Sequence, residues 1–137
     1  MLLVIDTNII VSAIKSGIKR DENGNEVYTK AYRLMADVFN GKHRMVISKE
    51  IIAEYEDVLH RPHLQLNPLK VEKFLSFIRL SAVWIEPLPT TQSQVVMKDE
   101  DDRVFYDVAK CLNIRLITDN IKHYPVPELR TKLDELY

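Results

Sequence analysis

Leu2-Leu3-Val4-Ile5-Asp6-Thr7-Asn8, near the start of the chain, sets four apolar residues without a break before a carboxylate, a hydroxyl and an amide. An unbroken apolar run of this length predicts a strand buried on both faces, and such strands belong to parallel sheets. Residues 45–47, 82–85 and 116–117 read the same way, making four runs in all.

Between the runs the apolar spacing changes to threes and fours. Tyr28, Ala31, Tyr32, Met35, Val38 and Phe39 mark one helix, with Gly41 placed to end it. Ile51, Ile52, Tyr55, Val58 and Leu59 mark another after Ser48, a good N-cap, until Arg61-Pro62 interrupts. Asn67-Pro68 opens a third, with Leu69, Phe74, Leu75 and Ile78 on its inner face. Val104, Phe105, Val108, Ala109 and Leu112 mark a fourth, closing near Asn113. Strands alternating with helices of this length predict right-handed βαβ units, hence an α/β fold with a mostly parallel sheet. Residues 17–26, centred on Asp21-Glu22-Asn23-Gly24-Asn25, read as a polar exposed loop placed to form a lip over a site. Residues 128–137 read as a short amphipathic helix striped by Leu129, Leu133 and Leu136.

A chain of 137 residues fits one domain, 1–137, burying roughly two thirds of its unfolded surface. Its 46% hydrophobic and 28% charged residues exclude intrinsic disorder. Nineteen basic against twenty acidic residues leave a formal charge of −1, so nucleic-acid affinity requires a local basic patch or metal ions. Cys111 is the only cysteine, which excludes an internal disulfide, and its apolar flanks place it in the core. No basic leader and no run near ~20 apolar residues occurs, so the expected location is the cytoplasm, with no membrane partner.

The functional crevice of an open parallel sheet lies outside the carboxyl ends of its strands. Asp6-Thr7-Asn8 ends the first run, Thr118-Asp119-Asn120 ends the last, and Asp99-Glu100-Asp101-Asp102 opens the helix before it. Each has a plainer reading: Asp6 or Asn8 as a helix cap, Asp99 as an N-cap, and the acidic run as a complement to a helix dipole. Carboxylates converging on one crevice repel one another, however, and are tolerated chiefly when a cation neutralises them. Oxygen ligands alone predict Mg²⁺ or Mn²⁺, and the lack of a nearby His or Cys cluster disfavours zinc. Glu54 falls about 40° from Val58 and about 60° from Ile51, at the edge of its helix's buried face.

Asp-Thr-Asn after the first run, Ser48-Lys49-Glu50-Ile51-Ile52-Ala53-Glu54, the acids 99–102 before Val104-Phe105 and Ala109, and Leu116-Ile117-Thr118-Asp119-Asn120 together resemble the PIN domain family. The segment 54–62 is similar to that of the small prokaryotic PIN proteins counted among the toxin components of toxin–antitoxin pairs. The resemblance implies a three-layer sandwich around a parallel sheet of four or five strands, and hydrolysis of RNA phosphodiester bonds with one or two divalent ions. It assigns Asp6, Glu54 and Asp102 as catalytic acids and metal ligands, Asp119 as a further ligand, and Thr7, Asn8, Asp99, Thr118 and Asn120 as supports. It also implies an antitoxin partner and a homodimer. Many members carry an aspartate where Asn120 stands here, and neighbours on extended backbone point to opposite sides, so Asp119 and Asn120 compete to face the metal.

The expected chemistry is in-line attack on an RNA phosphate by a water that the cation activates. Candidate cations for the substrate are Lys15, Lys19, Arg20, Lys49, Arg61, Arg103 and Lys122, while His60, His63 and His123 read as surface or loop residues. A haloacid-dehalogenase-like phosphatase also begins with an aspartate after a first strand but wants a second aspartate where Asn8 stands. A receiver-like module wants a paired acid cluster and a late lysine. The rival outside enzymology is a PIN fold that only binds a protein partner, and the nearly complete acid set argues against it.

Overall fold

A computed structural model of the protein describes residues 1–16, 18–119, 124 and 130–137. In chain order the elements are β1 (Leu2–Ile5), α1 (Thr7–Ser16), β2 (Ile18–Arg20), β3 (Glu26–Tyr28), α2 (Lys30–Phe39) and β4 (Arg44–Ile47). There follow α3 (Lys49–Leu59), α4 (Pro68–Ser81), β5 (Val83–Trp84), α5 (Arg103–Leu112), β6 (Arg115–Ile117), β7 (Arg130–Thr131) and α6 (Leu133–Leu136). Short 3₁₀ turns occupy Pro62–Leu64 and Glu100–Asp102.

The central sheet has five parallel strands in the order β5-β4-β1-β6-β7. Leu3, Val4 and Ile5 are each 0% exposed although successive side chains point to opposite faces, so helices cover the sheet on both sides. This is the expected α/β sandwich. Ile5 lies opposite Ile117, which brings the carboxyl ends of β1 and β6 side by side in the middle of the sheet.

Local chemistry sets the helix ends. The Ser48 hydroxyl accepts from the Ile51 N–H at 3.1 Å, and Asn67 accepts from the N–H groups of Leu69 and Lys70. Asn113 closes α5 at φ 53°, the left-handed conformation that asparagine tolerates best after glycine.

The structure departs from the sequence reading in four places. The stretch expected to be a loop after the first helix contains a hairpin: β2 and β3 pair antiparallel, and Asp21 bonds the N–H groups of Asn23 and Asn25 at the tip. Tyr28 belongs to β3 instead of α2. The final segment carries the fifth strand, β7, before the four-residue α6; Glu128 and Leu129 lie outside the described residues. Leu69 and Cys111 are exposed, and in α4 the buried residue of the first turns is Val71, which takes the inward position expected of Leu69. Among the described residues, no helix is long and apolar enough to cross a membrane.

Candidate active site

Three elements deliver the acids to one cleft. The Asp6 N–H extends the ladder to the Ile117 carbonyl at 3.0 Å, and the Asp6 carbonyl accepts from Ile9 at 3.1 Å in the first turn of α1. The strand-to-helix transition thus occurs at Asp6, which is 4% exposed. Thr118, directly after β6 and fully buried, donates its hydroxyl to Asp6 Oδ2 at 2.8 Å. A buried charge needs such partners, and a hydrogen bond to a carboxylate is shorter and stronger than a neutral one.

Glu54 arrives on α3. The neighbouring Tyr55 is fully buried and donates its hydroxyl to the Ile5 carbonyl, fastening α3 to the tip of β1. The Tyr55 ring also packs on Phe105 of α5, with centroids 5.9 Å apart.

The third group comes from the 3₁₀ turn before α5. Asp99 Oδ1 accepts from the Asp101 N–H at 3.0 Å, so Asp99 caps this turn, the plainer of its two readings. Asp102 makes no capping bond with its side chain. Arg103 fixes the turn from behind: its guanidinium donates to both oxygens of Glu100, to Thr90 Oγ1, to Gln92 Oε1 and to the Val95 carbonyl.

Asp6, Glu54, Asp99, Asp101 and Asp102 line one cleft of about 190 Å³ together with Thr7, Asn8, Val58, Arg61 and Phe105. Partial burial pushes the Glu54 carboxyl above the ordinary carboxylate range, and the Asp101 and Asp57 charges add to the shift against the opposing pull of Arg61. The buried phenol of Tyr124 is raised well above the tyrosine range by desolvation, reinforced by the charges of Asp6 and Asp102. Thr7 Oγ1 is buried and has no hydrogen-bond partner among the described residues.

The donor chemistry fits a hard divalent cation: oxygen ligands only, a buried carboxylate, like charges that hinder one another's ionisation, and an unused buried hydroxyl. Among the described residues, however, no three acidic, His or Cys side chains stand grouped closely enough to hold a metal ion. The acids share a cleft without forming a preassembled cage.

Thr118, bonded to Asp6, is not among the residues lining the cleft. Asp119 is exposed and is not among the residues lining the cleft, and Asn120 lies outside the described residues. Of the candidate cations, Arg61 lines the cleft, held by Asp57 at 2.8 Å. Arg103 is committed to the turn, and Arg20 bonds the Gly24 carbonyl at the hairpin tip. Lys15 and Lys49 are exposed and off the cleft; Lys122, His123 and the side chain of Lys19 lie outside what is described. His60 pairs with Glu72 at 2.8 Å, and His63 is an exposed residue of the first 3₁₀ turn. Sequence reasoning missed Asp101 as a cleft residue and Tyr124 as a neighbour of the acids. Asp101 stood in the acidic run as a signal, whereas nothing around Tyr124 singled it out.

Comparison with known proteins bears on the fold and the family. No curated protein sequence matches the chain. A chain of VapBC2 from Rickettsia felis, crystallised bound to a DNA fragment from its promoter, superposes with a TM-score of 0.58 at 16% identity, covering 96% of this chain and 98% of that one. At that identity the likeness speaks to the fold. A family model described as the PIN domain matches residues 2–122, a span that holds every acid of the cleft. The chain therefore belongs to the PIN domain family, whose members are generally nucleases.

Proposed function

We propose that the protein is a Mg²⁺- or Mn²⁺-dependent endoribonuclease whose reaction takes place in the acid cleft. The observation that carries this reading is the meeting of Asp6, Glu54 and Asp102, from three separate elements, around one polar cleft at the carboxyl ends of β1 and β6. A bound divalent ion would lower the pKa of a water, orient it, and offset the charge of the scissile phosphate. Asp6 and Asp102 are the principal ligands in this reading, and Glu54 is a further ligand or orients the water. Thr118 holds Asp6 in place through its hydroxyl, and Thr7 offers an unused oxygen beside it. Asp119 takes part only if its backbone turns toward the cleft.

Arg61 is the one cation among the described residues that line the cleft, and it is the natural anchor for an RNA phosphate. Its present partner, Asp57, is an exposed residue one turn back on α3, and exchanging it for a phosphate costs little.

The relative of similar fold comes from a VapBC complex, which supports placing this chain as the toxin of a type II pair that is silenced by an antitoxin protein. A homodimer fits the exposed leucines of α4, Leu69 and Leu80; a monomer in sedimentation at micromolar concentration would count against it.

One observation favours a second reading. The absence of a preassembled ligand group among the described residues is what a PIN fold reduced to protein binding would show. Calorimetric titration with Mn²⁺ separates the two. The nuclease reading expects binding that weakens at least tenfold in Asp102→Asn, and heat indistinguishable from dilution in the wild type would support the binding module instead.

A further inference from the structure

We propose that the cleft between α3 and α4 is a nucleobase subsite, filled by one base of an RNA strand whose phosphate lies among the acids. This rests on the ribonuclease reading, and it adds where sequence preference is determined. The cleft measures about 220 Å³. That is below the ~300–1,000 Å³ of pockets for drug-sized ligands, so it suits a single ring system and not a helix or an extended peptide.

Its position is the strongest argument. Arg61 lines both this cleft and the acid cleft, so the two are neighbours that share one residue. A phosphate held by Arg61 beside Asp6 and Glu54 leaves the attached nucleoside within reach of the second space. Single-stranded RNA is read by turning unstacked bases out of the strand and bonding their edges.

The lining supplies both halves of such a contact. Leu59, Leu66, Val71 and Pro62 give apolar walls for the faces of a ring. Gln65 and Glu72 give edge-reading groups. Gln65 closes the 3₁₀ turn Pro62–Leu64 in the left-handed conformation, φ 52°, which fixes where its exposed side chain starts, and its amide has no protein hydrogen-bond partner among the described residues. An amide carries both donors and acceptors and reads a base in two places at once.

His60 sets the rim. Nδ1 meets the Glu56 carbonyl at 2.6 Å and Nε2 meets Glu72 Oε1 at 2.8 Å. Both ring nitrogens therefore face acceptors, the pattern of an imidazolium, and the ring clasps the end of α3 to the first turns of α4. Glu72 is held at the pocket edge by this contact.

The test compares the wild type with Gln65→Ala and Glu72→Gln, neither of which lies in the acid cleft. Cleavage sites in a random-sequence RNA pool are sequenced, and the affinities of fluorescein-labelled octamers of A, C, G and U are measured by anisotropy with Ca²⁺. The expected result is that the wild type favours one base near the cut by about tenfold, the discrimination of one good edge contact, and that each variant narrows this to about twofold or less. Metal-dependent cleavage with the same preference in all three proteins overturns the subsite and leaves the nuclease standing. No cleavage, with a base preference in binding that Gln65→Ala abolishes, overturns the nuclease and keeps the subsite. Equal binding of all four octamers, or none, overturns the subsite and leaves this face to a protein partner.

Discussion

Thr118→Val removes one hydroxyl from beside the Asp6 carboxylate and keeps the side chain's volume. The bond lost is 2.8 Å long and joins a residue that is fully buried to one that is 4% exposed. Hydrogen bonds to charged groups contribute about 1.5–3 kcal/mol, and burial on both sides prevents water from taking the hydroxyl's place. At about 2.1 cal/mol/K of unfolding entropy per residue, a chain of 137 residues loses roughly 3.5 °C of Tm per kcal/mol, so the variant should melt about 5–10 °C lower. The assay is urea unfolding in EDTA, with Asp6→Asn and the double variant completing a cycle. In the Asp6→Asn background the same change should cost about 0.5–1.5 kcal/mol, since a neutral amide accepts a weaker bond. A Thr118→Val protein within about 0.5 kcal/mol of the wild type would refute the claim that this bond holds the first acid in place.

Glu54, raised above its ordinary 4.5 by burial and by neighbouring acids, contributes stability that is full below that pH and is lost as pH rises through the raised value. The metal-free wild type should therefore weaken across that window while Glu54→Gln does not, and parallel urea midpoints for the two proteins would contradict it. Ser48→Ala deletes the cap of α3 and should cost about 1 kcal/mol by chemical denaturation; no change would mean that Tyr55 and the sheet fix that helix without it. Arg61→Ala should weaken binding to single-stranded RNA and reduce the slope of log affinity against log salt by about 0.7, whereas an unaltered slope removes Arg61 as a phosphate anchor. Arg103→Lys should lower the unfolding midpoint without changing that slope, because its guanidinium serves the acidic turn; a reduced slope would restore it as a substrate contact.

What sequence shows best is what repeats along it. Leu2–Ile5 read as a doubly buried strand because its apolar run is unbroken, and the caps at Ser48, Asn67 and Asn113 were legible because capping is chemistry between near neighbours. The short elements carried less signal. β7 is two residues, Arg130–Thr131, and is a strand only because Leu116 and Ile117 lie beside it. The hairpin did have a local signature, Asn23-Gly24 between Arg20 and Glu26, but polar flanks disguised its strands. Leu69 and Cys111 read as core from their neighbours, yet both are exposed near a helix end, where apolar flanks along the chain do not fix which side chain turns inward.

The site divides along the same line. Asp6, Glu54 and the acids 99–102 could be picked out because each stands at the end of an apolar run, at the edge of a stripe, or in a cluster. Their convergence depends on strand order: β1 beside β6 places Thr118 behind Asp6, and no spacing along the chain encodes that pairing. Arg61 and Arg103 show the same limit from the other side. Both are arginines near a helix end, yet one lines the cleft with the acids and the other bonds Glu100, Thr90, Gln92 and Val95.

The acid cleft is proposed as the place where RNA is cut. The most direct measurement is cleavage of single-stranded and structured RNA by the wild type and Asp6→Asn, each with EDTA, Mg²⁺ or Mn²⁺, alongside circular dichroism to confirm that the variant is folded. Cleavage is expected only from the wild type and only with a divalent ion. Cleavage by a folded Asp6→Asn protein at the wild-type rate, or equal cleavage in EDTA, would contradict it.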